Sequence, residues 1–139
     1  MIFLLDTNVC IHLLNKKNAI IQQHFLMHSA SDIVLCSVVR AELLYGARRS
    51  ERVEANLALL NAFFAPLQSL HFDDHCAHHY GQIHAALSNQ GRPIGPNDTL
   101  IAAIARANQL TLVTHNTAEF ARVEGLRLAD WELPCQPNL

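Results

Sequence analysis

Unbroken apolar runs of strand length alternate along the chain with longer segments whose apolar residues recur at helical spacing. The clearest runs cover residues 2–5, 33–36 and 110–114, and weaker strand-like segments cover 67–72 and 125–131. Runs without polar alternation are typical of strands buried on both faces of a parallel sheet. The pattern therefore predicts an α/β/α sandwich with a mostly parallel central sheet of four or five strands and right-handed crossovers.

Helices are predicted between these strands from apolar stripes and turn residues. The predicted helical segments are 7–14, 20–27, 38–47, 53–64, 76–87 and 98–105. Ser37 and Asn97 are the expected N-caps of the third and the sixth helix, and Asp73 or Asp74 is expected to cap the fifth. No linker or repeat divides the chain, so one domain over residues 1–131 is expected, followed by a C-terminal tail over 132–139.

Composition restricts the class of protein further. The 139 residues are 50% hydrophobic and carry a formal charge of −2, yet no apolar run approaches bilayer length. We therefore expect a cytoplasmic protein without a membrane anchor. The charge argues against a generally basic nucleic-acid binder but leaves open an enzyme that acts on nucleic acid. Scattered cysteines predict reduced thiols rather than a disulfide framework; they are Cys10, Cys36, Cys76 and Cys135.

Acidic residues stand where predicted strands end or predicted helices begin. Asp6 follows the first strand, Asp98 lies in the first turn of an Ala-rich helix, and Glu119 belongs to the segment after the last long strand. In an open parallel sheet, chemistry collects at the carboxyl ends of the strands, so these side chains can converge on one crevice. For Asp6 and Asp98, the alternative is ordinary helix-start chemistry.

Glu42 is informative because its helical neighbours, which include Val38, Val39 and Tyr45, are not charged. A carboxylate on an apolar helix face is costly without a partner. The partner is either a metal ion or a nearby cation such as Arg48.

Several carboxylates brought together repel one another and hold their protons unless a cation joins them. Hard oxygen ligands select Mg²⁺ or Mn²⁺, and such an ion suits phosphodiester hydrolysis. The sequence therefore predicts a metal-dependent site built from Asp6, Glu42, Asp98 and the polar segment 115–119.

The same residues are also compatible with other functions. A haloacid-dehalogenase-type phosphatase also begins with a buried strand and an Asp, but its second Asp is replaced here by Asn8. A non-catalytic binding module that shares the fold is the remaining rival. His75, His78 and His79 have spacings that can hold zinc, although they also fit the solvent-exposed face of a helix. Basic residues such as Arg40 and Arg92 could contact phosphate or simply be solvated.

Four motifs give the chain a resemblance to a known family. They are Leu4-Leu5-Asp6-Thr7-Asn8; Ser37-Val38 with Glu42-Leu43 and Tyr45-Gly46; Gly91-Arg92-Pro93-Ile94-Gly95-Pro96-Asn97-Asp98; and Leu112-Val113-Thr114-His115-Asn116-Thr117-Ala118-Glu119-Phe120 with Gly125-Leu126 and Asp130-Trp131. Together they span about residues 2–131. In this order they resemble the PIN-domain ribonucleases, and specifically the VapC toxins of type II toxin–antitoxin pairs.

The resemblance implies a metal-dependent endoribonuclease toxin with a PIN-like fold. By that resemblance Asp6, Glu42 and Asp98 hold Mg²⁺ or Mn²⁺, Glu119 completes the acidic set, and Thr7 and Asn116 support it. It also implies a homodimer, a VapB-like antitoxin whose tail covers the active site, and cleavage of structured RNA to 3′-hydroxyl and 5′-phosphate ends. The loop 91–96 is similar to that of relatives that cut initiator tRNA in its anticodon loop.

Overall fold

The computed structural model describes residues 1–135 and confirms the α/β/α architecture that the sequence predicts. Its sheet consists of five short strands, which are β1 (Phe3–Leu5), β2 (Ile33–Cys36), β3 (Gln68–Leu70), β4 (Thr111–Val113) and β5 (Arg127–Ala129). Every pairing is parallel, and the strand order is β3-β2-β1-β4-β5. The first strand of the chain is therefore the central strand of the sheet.

Within residues 1–135, seven α-helices connect and cover these strands. They are α1 (Thr7–Asn15), α2 (Ala19–Leu26), α3 (Ser37–Arg48), α4 (Val53–Phe64), α5 (Asp74–Asn89), α6 (Pro96–Ala107) and α7 (Thr117–Phe120), and a short 3₁₀ turn, Ala30–Asp32, precedes β2. The positions of the six longer helices agree with those predicted from the apolar stripes.

The hydrophobic core lies on both faces of the three central strands. All residues of β1, β2 and β4 are buried, whereas β3 and β5 at the edges are partly exposed. Helix α6 contributes five consecutive buried residues, 101–105, and small alanines among them let it pack closely. This burial explains why the central strands are unbroken apolar runs and the edge strands are not.

Two predicted N-caps are wrong by one or two residues. Helix α6 is capped by Gly95 rather than Asn97, because Pro96 occupies the first helical position, where its fixed φ and missing N–H cost nothing. Helix α3 is capped by Cys36, and Ser37 is its first residue. The Ser37 hydroxyl donates instead to the carbonyl of Leu70, 3.3 Å away on the neighbouring strand.

The cysteines are free thiols, as predicted, and Cys10, Cys36 and Cys76 are buried. Part of the predicted tail packs on the domain, since His24 Nε2 of α2 lies 2.7 Å from the Leu133 carbonyl. Residues 136–139 of that tail lie outside the described residues. Within residues 1–135 no helix is both long and apolar enough to cross a bilayer.

Candidate active site

The strand order brings the predicted acidic residues to one edge of the sheet. Strand β1 lies between β2 and β4, so the carboxyl ends of these three parallel strands are adjacent. Asp6 follows β1 directly, helix α3 with Glu42 follows β2, and α7 with Glu119 follows β4. Asp98 reaches the same edge from the first turn of α6.

Asp6 is held rigidly at the end of the central strand. Its side chain is 8% exposed. Its Oδ1 accepts a hydrogen bond from the backbone N–H of Thr7, and its Oδ2 accepts one from the hydroxyl of Thr114, both at 2.8 Å. Burial, and to a lesser degree the charge of Glu42, raises the pKa of Asp6. Asp6 is also the N-cap of α1, so the capping role that the sequence offered as an alternative coexists with its place in the cluster.

Glu42 meets a hydroxyl group rather than an arginine. Its Oε1 accepts a hydrogen bond of 2.8 Å from the Thr7 hydroxyl. Arg49, the C-cap residue of α3, donates to the Tyr45 hydroxyl at 3.1 Å. In the described part of the chain both ion pairs involve His115, so Glu42 has no cationic partner there. Thr7 thus connects the first turn of α1 to Glu42 on α3.

Asp98 has the most strongly perturbed carboxyl group of the cluster. Partial burial, followed by the charges of Asp6, Glu42 and Glu119, raises its pKa to about 6 from 3.8. Its position is fixed by the start of α6, where both the backbone N–H and the hydroxyl of Thr99 donate to the Gly95 carbonyl at 2.9 Å. Because the charges of the other three acids act on Asp98, all four carboxylates lie within range of electrostatic interaction.

Glu119 joins the cluster through a chain of hydrogen bonds. The side-chain amide of Asn116 donates to Glu119 Oε2 at 2.8 Å, and the backbone N–H of Asn116 donates to the Thr114 hydroxyl at 3.1 Å. The Thr114 hydroxyl in turn donates to Asp6. Sequence reasoning missed Thr114 as a site residue, and the available signal was a hydroxyl at the end of the apolar run 110–114, directly before a polar turn.

The chemistry of this donor set fits a hard divalent cation. Asp6, Glu42, Asp98 and Glu119 offer carboxylate oxygens, and within residues 1–135 none of them forms an ion pair with Lys or Arg. Two of these acids have raised pKa values because of burial and mutual repulsion, the condition that a bound cation relieves. Oxygen donors of this kind are those preferred by Mg²⁺ and Mn²⁺.

A second polar cluster lies beside the first, after β4 and β5. His115 Nδ1 is 3.0 Å from Asp130 Oδ2 and 2.7 Å from Glu132 Oε2, and these atoms form the one compact group of three potential metal ligands among the described residues. At these distances the imidazole of His115 makes a direct polar contact with each of the two carboxylates. The α5 histidines are not such a group, since His79 Nδ1 instead accepts a hydrogen bond of 2.8 Å from Arg106.

An apolar groove of about 390 Å³ runs between α1, α3 and α4, and Glu42 belongs to its lining. Ile11 of α1 and Leu59 of α4 are 43% and 48% exposed along it. The remaining apolar side chains of the lining are Leu14, Leu43, Ala47 and Leu60. A groove that combines exposed aliphatic side chains with an acidic site residue suits an amphipathic protein segment.

Comparison with known proteins agrees with this arrangement. Residues 3–126 match the PIN domain family. The chain is 44% identical over 129 residues to the tRNA(fMet)-specific endonuclease VapC of Shigella flexneri, covering 93% of this chain and 97% of the relative. It is 38% identical over 133 residues to ribonuclease VapC2 of Rickettsia felis, covering 95% and 99%. The structure of DNA-bound VapBC from Salmonella typhimurium superposes with a TM-score of 0.88 at 40% identity, covering 94% of this chain and 98% of that one.

Proposed function

The chain belongs to the PIN-domain family, among the VapC endoribonucleases, and we propose that it cuts tRNA with the aid of a divalent metal ion and is restrained by an antitoxin. The observation that carries this proposal is the cluster of four carboxylates at the carboxyl edge of the sheet, three of them held by hydrogen bonds, in a chain 44% identical to a tRNA-specific endonuclease.

Asp6, Glu42, Asp98 and Glu119 would hold Mg²⁺ or Mn²⁺. The chemistry that such an ion supplies when bound is acidification of water and neutralisation of charge on the phosphate. The chain's own contribution is orientation: Thr114 and the Thr7 backbone fix both oxygens of Asp6, while the Thr7 hydroxyl fixes Glu42. Asn116 holds Glu119 at the opposite side of the cluster. Preorganised ligands of this kind hold their geometry through the reaction.

The proposed substrate is initiator tRNA, cut in the anticodon loop to leave a 3′-hydroxyl and a 5′-phosphate. Support comes from two relatives, of Shigella flexneri and Salmonella typhimurium, which are named tRNA(fMet)-specific endonucleases and are 44% and 40% identical to this chain. The loop 91–96 that precedes Asp98 contains the motif on which the resemblance to this group rests.

The proposed partner is a VapB-like antitoxin, because similar chains of Rickettsia felis and Salmonella typhimurium occur in VapBC structures. The groove between α1, α3 and α4 suits an amphipathic antitoxin helix, whose end would lie beside Glu42. Such an occupant would block RNA from the acidic cluster. A homodimer is proposed from the family resemblance alone.

The decisive experiment incubates purified wild-type protein and the Asp6→Asn variant with total tRNA in Mg²⁺, in Mn²⁺ and in EDTA, and maps the cut ends. We expect metal-dependent cleavage at one loop by the wild type and a loss of at least about 100-fold in the variant. Cleavage by Asp6→Asn at the wild-type rate would refute the site. Failure of folded, metal-loaded wild type to cut any tRNA would refute the proposed substrate.

A binding measurement distinguishes the acidic cluster from the neighbouring His115 cluster as the metal site. Mn²⁺ titration should show weakened binding for Asp98→Asn and wild-type binding for His115→Gln, since His115 lies outside the four carboxylates. The reverse result would place the ion between His115, Asp130 and Glu132.

A further inference from the structure

A polar cleft of about 320 Å³ lies between α5 and the turn that follows α7. Its lining includes two arginines, Arg106 at the end of α6 and Arg122 in the turn, together with Gln82, Gln90 and Glu124. None of these residues belongs to the acidic cluster. The volume is at the lower end of the range of small-ligand sites, so the cleft can admit a group of the size of a phosphate or a nucleotide.

Arg106 is fixed in this cleft by neutral groups. Its Nε donates to His79 Nδ1 at 2.8 Å, one terminal nitrogen donates to the Glu124 backbone carbonyl at 3.0 Å, and the other donates to Gln82 Oε1 at 2.8 Å. These bonds immobilise the guanidinium without neutralising its charge. Because most of its N–H groups already donate to protein acceptors, Arg106 contributes mainly a fixed positive charge beside the cleft.

Arg122 is incompletely satisfied. One terminal nitrogen donates to the Pro93 carbonyl at 3.3 Å, but its Nε is buried without an acceptor among residues 1–135. The buried Nε is out of reach of a ligand, but most of the terminal N–H groups of Arg122 have no acceptor among the described residues. Glu124 does not neutralise the guanidinium, because the ion pairs of the described chain both use His115.

The cleft borders the loop that delivers a catalytic carboxylate. Through Pro93, Arg122 contacts the loop 91–96, which leads directly into α6 and Asp98. Gln90 of the lining stands at the end of α5, immediately before the same loop. An RNA strand that leaves the acidic cluster across this loop would therefore reach Arg122 first, since Arg106 lies in the last turn of α6 and Asp98 in its first turn.

We infer that this cleft binds a backbone phosphate of the RNA substrate, through the terminal nitrogens of Arg122 and the charge of the fixed Arg106 guanidinium. The inference rests on the proposed ribonuclease function for its choice of ligand, because the shared chemistry is that of any phosphate oxyanion. The contact positions RNA and carries no base specificity. Its consequence is a metal-independent contribution to tRNA affinity that weakens with salt.

The test measures binding of a fluorescein-labelled initiator tRNA transcript in EDTA across a series of KCl concentrations, with all variants in the Asp6→Asn background. Arg122→Gln should weaken binding about tenfold and reduce the slope of log K against log salt by about 0.7–0.9. Arg52→Gln is the matched control, because Arg52 is exposed and precedes α4, which leads to β3 at the edge of the sheet opposite β5. If Arg122→Gln binds like Arg52→Gln, the inference is wrong.

A second variant keeps the test decisive if Arg122→Gln does not fold. Gln90 is exposed, and Gln90→Glu places a carboxylate in the cleft. We expect weaker tRNA binding and a Tm raised by about 1–3 °C, since the new charge replaces the missing anion. Gln23→Glu, on exposed α2, should change neither quantity. Unchanged tRNA binding by Gln90→Glu would contradict the inference.

Inorganic phosphate identifies the source of the oxyanion. Suppose that phosphate raises the Tm of the wild type but not of Arg122→Gln, and that Arg122→Gln and Gln90→Glu both bind tRNA as tightly as the wild type. The cleft is then a site for free anions, and the RNA assignment is overturned. If the wild type cuts no tRNA but binds it in a way that depends on Arg122, the inference about the cleft holds and the proposed enzymatic function is rejected.

Discussion

The hydroxyl of Thr114 donates to Asp6 Oδ2 at 2.8 Å and joins two residues that are 108 positions apart in the chain. The same hydroxyl accepts from the Asn116 backbone at 3.1 Å. Thr114 is completely buried, so both bonds are shielded from water. One side chain thus connects the end of the central strand to the segment that carries Glu119.

Thr114→Val should therefore impair both activity and stability. The substitution keeps the shape but leaves Asp6 Oδ2 and the Asn116 N–H without a partner, at a cost of about 1–3 kcal/mol. We expect cleavage to fall about tenfold or more, and urea unfolding to report the stability loss. Thr111→Val is the control, because Thr111 is also buried and begins the strand that ends just before Thr114. Equal losses in both variants would show that the hydrogen bonds of Thr114 are unimportant.

Thr7 should act as a positioning residue for Glu42. Its hydroxyl is 2.8 Å from Glu42 Oε1, so Thr7→Val frees that carboxylate while leaving it in place. We expect cleavage to fall about tenfold and the Mg²⁺ requirement to shift to higher concentration. Thr7→Ser should restore both, and a failure of this rescue would argue against the bond. Glu42→Gln should also raise the Mg²⁺ requirement, whereas a purely structural Glu42 would lower stability alone.

The stability of the metal-free protein should fall as pH rises. The pKa of Asp98 is about 6 in the folded chain against 3.8 as the ordinary value, so the unfolded carboxyl releases its proton first. The free energy of unfolding in EDTA should therefore decrease between about pH 4 and pH 6, then level off. Burial of Asp6 raises its pKa and acts in the same direction.

Thermal unfolding from pH 4 to pH 7 in EDTA measures this effect. Because Asp98 is only partly buried, its share should be about 1 kcal/mol after solvent screening. Asp98→Asn should remove that share and be more stable than the wild type at pH 7. Mg²⁺ should stabilise the wild type at pH 7 and have little effect on Asp98→Asn. A wild-type curve identical to that of Asp98→Asn would contradict the prediction.

Antitoxin binding should depend on the groove between α1, α3 and α4. Leu59 is 48% exposed in that groove, so Leu59→Asp can be introduced without disturbing the core. We expect loss of co-purification with the cognate antitoxin, because a desolvated carboxylate in an apolar contact costs several kcal/mol. Leu26→Asp changes a 79% exposed residue of α2 outside the groove and should keep the complex. A stable complex with Leu59→Asp would exclude the groove.

The sequence by itself determined the elements and the general location of the site. Unbroken apolar runs can be satisfied only by strands covered on both faces, so β1, β2 and β4 were predictable from local pattern. Asp6 and Asp98 follow from the same reasoning, because the carboxyl ends of parallel strands lie on one edge of the sheet. Such features depend on neighbours in the chain and on periodicity.

Tertiary structure alone decided which distant residues meet. The position of β1 between β2 and β4 brings Thr114 to Asp6, and no local pattern encodes that pairing. Glu42 could have paired with Arg48, but the packing of α1 beside α3 gives it the Thr7 hydroxyl. Arg122 likewise gained significance only from the cleft that it lines together with Arg106. Hydrogen-bond partners depend on distances between elements, which hydrophobic periodicity does not specify.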